Sequence, residues 1–399
     1  MKEPIWITGA GIVSAIGMNR HEVLEALRNG RSGIGEMHHL ESIHREFPVG
    51  EVHAGDAELR ARAGIEAGEP AIRTALLGML ALGEALDEAK VEAGMLPKAA
   101  FLSGTTVGGM DQSERYYTDF LTNDTRNAYI AMHDCGASTE LIADRFGRFG
   151  FVATPSTACS SAMNAIIVGA EMIRSGQCDL VVAGGSECLT RFHLNGFNAL
   201  MILDTQPCRP FDATRAGLNL GEGAAYVVLE RAEAARRRGV EARALLEGYA
   251  NACDAYHQTA SSPDGEGAFR AMRGALAMAD LDPARVDYIN AHGTGTPNND
   301  ASESAAMLRL FGGHVPSFSS TKAFTGHTTS ASGAIETVIS ILVLEDQFLP
   351  VNLNWRTPME NGLIPVLDSR PQREIRHVLC NSFGFGGNDS SLLLTRWNP

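Results

Sequence analysis

Short apolar runs of strand length alternate with stretches of helical spacing along this chain, and the alternation goes round twice. A chain so patterned must bury its strands in sheet and cover the sheet with helices, which makes it a layered α/β protein. In the first round Ile5–Thr8 reads as a strand ending in a tight turn at Gly9-Ala10-Gly11, and His21–Asn29 as a helix with Val23, Leu24 and Leu27 on one face. Pro70–Ala93 is a long Ala/Leu helix and Ala100–Gly104 a strand; residues 111–150 are polar and irregular until a helix at Ser138–Phe146. Phe151–Thr154 is extended, Pro155–Ala158 turns, and Cys159 opens the helix Ser160–Ser175. Asp179–Ala183 and Gly223–Glu230 are the next strands. The second round runs through strand Ala244–Tyr249, helix Gly267–Ala279, strand Tyr288–Ala291, helices Ala301–Phe311 and Gly333–Glu345, and strands Val378–Asn381 and Ser390–Thr395. Two similar halves, 1–240 and 241–399, follow from this alternation, although no internal sequence repeat is visible.

Composition narrows the function. The 399 residues are 44% hydrophobic and 20% charged, ordinary for a globular enzyme, and the net charge of −14 argues against a nucleic-acid partner, which would want a basic face. The seven cysteines are odd in number and show no metal-like spacing, so they read as reduced thiols in a cytoplasmic setting. The opening MKEPIWITGAG is a first strand, not a signal peptide, and the longest apolar runs are too short to span a bilayer. No membrane partner is expected.

Four segments carry chemistry. In Thr157-Ala158-Cys159-Ser160-Ser161 a thiol stands at a strand-to-helix turn, where the helix's free N–H groups should favour thiolate. A buried structural cysteine is the plainer alternative. His292-Gly293-Thr294-Gly295-Thr296 follows a strand directly, the position where open α/β sheets place their sites; in isolation His292 could be a satisfied core residue. Lys322 and His327 share one loop just before the helix carrying Glu336, although both charges could as well be solvated. Asn381-Ser382-Phe383-Gly384-Phe385-Gly386-Gly387-Asn388 is a glycine-rich turn between strands, either a plain hairpin or a flap donating a backbone N–H to an oxyanion.

Together these segments resemble the β-ketoacyl synthase family of the thiolase-like superfamily, from ITGAGIVSAIG through TACSS, AGGSE, RPFDATRAG, HGTGT and STKAFTGHT to NSFGFGGNDSS. The resemblance implies a five-layered αβαβα fold of two fused halves. It implies an elongating enzyme with Cys159 as nucleophile and His292 and His327 as oxyanion donors. Lys322 and Glu336 are implied as a pair tuning the histidines, the Phe385 N–H as part of the oxyanion hole, and Thr294 and Thr296 as binders of the pantetheine arm. Phe383, Gly386 and Ser113 are implied around the substrate. It further implies no cofactor and no metal, substrates carried on the phosphopantetheine of an acyl carrier protein, and a dimer with the strand at Asp179–Ala183 near its two-fold axis. That dimer is either a homodimer or a heterodimer with a ketosynthase-like chain-length factor.

Some positions depart from the family's pattern. Asn123–Ser138 lacks the usual Pro/Phe-rich run, Asp111, Gln112 and Ser113 stand in a stretch typically more apolar, and Asn388-Asp389 replaces Thr-Asn. The loop from Leu203 to Arg209 is shortened, and Met201 replaces a basic residue. These changes point to acyl chains that are short, polar or polyunsaturated, in fatty-acid or polyene/polyketide-type synthesis. Three other classes are weighed. An inactive chain-length-factor-like subunit would lack the nucleophile, and a degradative thiolase would carry a second cysteine near the C-terminus. A nicotinamide dehydrogenase would need glycine where Ser14 stands.

Overall fold

A computed structural model describes residues 4–66 and 68–398, leaving Met1–Glu3 of the opening stretch outside the described residues. Ten strands form one sheet: β1 (Ile5–Ser14), β2 (Ala100–Gly104), β3 (Phe151–Ala153), β4 (Leu180–Glu187), β5 (Gly223–Glu230), β6 (Ala244–Cys253), β7 (Tyr288–Asn290), β8 (Ser317–Ser319), β9 (His377–Gly384) and β10 (Asn388–Arg396). Their order is β3-β2-β4-β5-β1-β6-β10-β9-β7-β8. Each strand of the first half has its counterpart five strands later, so the two halves share one topology and meet where β1 pairs antiparallel with β6 from Ile5↔Leu246 to Ile7↔Ala244. The duplication absent from the sequence is therefore plain in the topology.

Layering follows from which faces are apolar. Helix Ser332–Asp346 is buried from Ser332 to Leu344, as expected of a helix apolar all round, and it packs beside helix Ser161–Arg174 in the middle of the molecule. Sheet lies on both sides of this pair. Helix Arg73–Glu88 covers β1 and β5 on one outer face, and helices Glu266–Met278 and Pro297–Phe311 cover the other half. The result is the thiolase-like α/β sandwich.

Three sequence expectations are corrected. Gly9-Ala10-Gly11 makes no turn, because β1 runs on to Ser14. Its glycines instead admit helix Arg73–Glu88: a Cβ on Gly9 would lie 2.4 Å from the Ala85 carbonyl oxygen, and one on Gly11 2.1 Å from that of Ala81. The polar stretch after residue 110 is helical at Met110–Phe120, since Met110, Tyr116 and Phe120 pack against the core while the polar side chains face outward or into a cavity. Finally, β4 is no sheet edge. It pairs with both β2 and β5, so the strand at Asp179–Ala183 cannot itself be the exposed strand at a two-fold axis, and β3 takes the edge.

Candidate active site

Cys159 sits between β3 and helix Ser161–Arg174 at a bent backbone. Ala158 adopts a left-handed conformation (φ 52°), a placement that costs a non-glycine residue energy and tends to occur where function fixes it. Ser382 Oγ donates to the Cys159 carbonyl at 2.9 Å, tying the Cys159 backbone to β9. His327 Nε2 stands 3.1 Å from Cys159 Sγ, and the His292 and His327 rings meet edge to face with centroids 5.3 Å apart. All three side chains are buried. Residues more than 130 positions apart in sequence thus converge at one point.

Lys322 and Glu336 stand behind the histidines. The Lys322 ammonium is 3.2 Å from His292 Nδ1, donates to the His292 carbonyl at 2.5 Å and pairs with Glu336. An ammonium offers only donors, so His292 Nδ1 accepts and Nε2 carries the proton toward the site. Burial first, and then the Lys322 charge, hold both histidines well below the usual imidazole range, leaving them neutral.

The thiol departs from expectation. Burial raises Cys159 to about 12, although the Lys322 charge and the Phe385 N–H both favour thiolate. The helix end does not overcome desolvation, and the resting group is a thiol. The Phe385 N–H faces the sulfur. The Phe385 ring stacks on Phe197, with centroids 5.9 Å apart, and Phe383 lies 5.8 Å from the His292 ring. Gly386 has a left-handed backbone (φ 83°) and donates its N–H to the Gln258 carbonyl.

The remaining predicted residues divide. Thr294 and Thr296 are buried, with hydroxyls 2.9 Å apart, and Thr296 also caps helix Pro297–Phe311 through Asn299 N. Ser113 is engaged elsewhere, its hydroxyl 2.9 Å from His133 Nδ1. Asp111 and Gln112 bond to one another and line a polar cavity with Arg73, Asp56 and Glu222, not the Cys159 pocket. The expected polar acyl lining at these two positions is therefore corrected: Asp111 accepts from the Arg73 N–H, which turns it toward the ion-pair cluster. Tyr129, within the departing segment, is buried and stacks on Tyr116.

Three further side chains brace the site, a role the sequence reading gave to none of them. Glu303 is buried and accepts the backbone N–H groups of His292 (2.9 Å) and Gly293 (2.8 Å), fixing the histidine loop. Asn388 Oδ1 accepts from Ser160, Asn164 and Asn251, locking the glycine turn to the helix that follows Cys159. Glu187 accepts from Thr105, Thr106 and, two residues past His327, Thr329. Glu187 and Asn388 stand within the AGGSE and NSFGFGGNDSS segments, but the partners that define what they hold lie far along the chain; Glu303 lies in no such segment.

A buried thiol against two neutral imidazoles, with a buried ammonium behind and a backbone donor in front, defines a thiol-dependent acyl-transfer site on a thiolase-like fold. The sequence matches the family descriptions "Beta-ketoacyl synthase, N-terminal domain" over residues 2–235 and "Beta-ketoacyl synthase, C-terminal domain" over 243–356, and the chain belongs to that family, a condensing acyltransferase. It is 32% identical over 422 aligned positions to 3-oxoacyl-[acyl-carrier-protein] synthase 2 of Coxiella burnetii, covering 99% of each chain. Among solved structures it is similar to the ishigamide ketosynthase/chain length factor, with a TM-score of 0.92, 28% identity and full coverage of both chains. It is similar also to a type II polyketide ketosynthase solved with its acyl-carrier protein and a bound hexaketide, with a TM-score of 0.86, 26% identity and full coverage of both.

Proposed function

We propose that this chain catalyses decarboxylative Claisen condensation, joining an acyl group held on Cys159 to a malonyl unit on an acyl carrier protein and releasing a 3-oxoacyl carrier protein. The observation that carries the reading is the Cys159 Sγ–His327 Nε2 contact at 3.1 Å beside a His292 whose Nε2 is a fixed donor. The thiol gives its proton to His327 as sulfur attacks the acyl thioester, and the departing pantetheine thiolate takes a proton from solvent. The oxyanion formed in that step rests on the backbone N–H groups of Cys159 and Phe385. Loss of CO2 from the malonyl group then puts negative charge on its thioester oxygen, where His292 and the now protonated His327 donate. The resulting carbanion attacks the acyl-enzyme carbonyl and expels the Cys159 sulfur, which regains its proton from His327.

In this reading Thr294 and Thr296 receive the pantetheine arm, and Phe383 and Gly386 shape the mouth. Partners are an acyl carrier protein and a second subunit, either identical or a chain-length factor, with pathways of the fatty-acid or polyene/polyketide type. We place the chain in the cytoplasm; no helix among the described residues is long and apolar enough to cross a membrane. The chemistry as proposed uses no cofactor and no metal. Cys159, His292 and His327 do offer ligand atoms within 4.8 Å of one another, but the Lys322 ammonium behind them opposes a second positive charge.

The test is release of labelled CO2 from carboxyl-labelled malonyl carrier protein, with and without an acyl donor. Cys159→Ala should lose acyl transfer and keep decarboxylation, because the histidines stabilise the enolate without the thiol. Loss of decarboxylation together with retained acyl labelling at another cysteine would refute the assignment.

A further inference from the structure

Thr329 stands two residues past His327 with a left-handed backbone (φ 42°). A β-branched residue is a true outlier there, and such strain persists only where the surroundings impose it. The group that holds it is Glu187, fully buried at the end of β4. One Glu187 oxygen accepts from Thr105 Oγ1 at 2.6 Å and from the Thr106 N–H at 2.9 Å. The other accepts from Thr106 Oγ1 and, at 2.8 Å, from Thr329 Oγ1. The carboxylate thereby clips the segment after His327 to the loop just past β2.

The His327 main chain is pinned, its N–H donating to the Asn219 carbonyl at 2.7 Å and its carbonyl accepting from the Gly221 N–H at 2.9 Å. Its ring is held less firmly. Nε2 faces the Cys159 sulfur at 3.1 Å, and among the described residues Nδ1 is met only by the Ser332 hydroxyl, 3.5 Å away. The chain reaches Ser332 through the 3-10 turn Thr329–Ala331, which Thr329 opens. Where Thr329 is held therefore decides where Ser332 Oγ meets the imidazole.

We propose that Thr329 is a positioning residue: its hydroxyl, latched to Glu187, holds the left-handed turn that keeps His327 Nε2 aimed at Cys159. Without that bond the backbone relaxes to an ordinary φ and the peptide after His327 rotates. The ring then loses the alignment that proton transfer from the thiol needs. This inference rests on the reading that Cys159 is acylated with His327 as proton acceptor, and the experiment separates the two.

Thr329→Val keeps the branched shape and removes the hydroxyl, whereas Thr329→Ser keeps the hydroxyl. Single-turnover acylation of Cys159 by an acyl carrier thioester, followed by intact mass, should slow ~10–10²-fold in Thr329→Val, the cost of displacing a reacting group by about an ångström. The half-saturating thioester concentration should not change, because both residues of the latch are buried. Thr329→Ser should acylate at the wild-type rate. Urea unfolding of the same variants tells positioning from stability, since a merely structural latch would lower the midpoint of Thr329→Val and leave the rate of the folded enzyme alone. A wild-type rate in Thr329→Val, or an equal loss in Thr329→Ser, overturns the proposal. Should Thr329→Val not fold, Thr329→Gly replaces it: glycine takes a left-handed φ without strain, so the same slowing is expected in a folded protein, and a wild-type rate overturns the idea. Absence of acylation in the wild type would instead overturn the condensing reading on which this rests.

Discussion

Cys159 is acidified by little and desolvated by much, so its nucleophilicity has to come from proton transfer within the encounter with substrate rather than from a standing thiolate. That places weight on His327 Nε2, the acceptor 3.1 Å away, which burial and then the Lys322 charge keep neutral and therefore able to accept. His292 is set for the opposite task, since the Lys322 contact to Nδ1 leaves Nε2–H as a donor. The two imidazoles are thus not interchangeable, although each meets the malonyl oxyanion. His292→Ala and His327→Ala should each slow condensation by ~10²–10³-fold, the cost of one lost oxyanion donor. They should differ in acylation, where His327→Ala is the slower because it removes the proton acceptor. Single-turnover acylation and malonyl decarboxylation, measured separately for both variants, check this; equal acylation rates would deny the division of labour.

At the scale of elements, close packing decides what sequence patterns alone leave open. Gly11 belongs to a strand that lies directly on the carbonyls of helix Arg73–Glu88, with a Cβ position 2.1 Å from Ala81 O and 2.7 Å from Ala85 N. Backbone cannot yield as a flexible side chain does, so Gly11→Ala should destabilise the protein by about 1–3 kcal/mol, the usual cost of overpacking. Urea unfolding monitored by fluorescence measures it, and an unchanged midpoint would show that β1 and the helix separate freely. The same contact explains why the sequence misleads here: Gly-Ala-Gly after an apolar run has the composition of a turn, and only the helix packed above reveals a strand. Periodicity did locate the buried elements whose apolar pattern is long, such as β5 and the helix Ser332–Asp346. It missed helix Met110–Phe120, whose apolar residues are sparse, and helix Arg191–Ala199, whose Phe197 stacks on the Phe385 gate. In the site, Cys159, His292, Lys322 and His327 were legible because their glycine- and threonine-rich loops are distinctive. Glu303 was not, because a buried acceptor is recognised by what folds onto it, and half-buried Asn388 was read only as a departure from the family's pattern, without the donors from Ser160, Asn164 and Asn251 that it serves.

For the whole molecule, the ten-stranded sheet has two ends that are treated differently. At β8 the outer side is covered by the chain itself: the Val366 N–H donates to the Phe318 carbonyl, and Ser319 Oγ donates to the Pro350 carbonyl. At β3 the sheet pairs only with β2 and stops, leaving Phe151 49% exposed, with Val168 of the nearby central helix 43% exposed. An open strand edge carrying apolar side chains invites pairing with another chain, and natural proteins rarely leave one free. The opposite end shows that this fold closes an edge when it has the means. The chain should therefore associate through β3, burying an edge continuous with the strand-to-helix turn that bears Cys159. Because β3 leads straight into Thr157 and Cys159, a partner seated there would stiffen the nucleophile's backbone as well as cover the edge. Sedimentation at micromolar concentration should give a dimer, and Phe151→Lys, which places a charge on the edge, should shift it toward monomer and slow acylation together. A wild-type monomer that acylates at full rate would show that the edge needs no partner. A monomer that acquires activity only with a chain-length-factor subunit would place the same interface in a heterodimer.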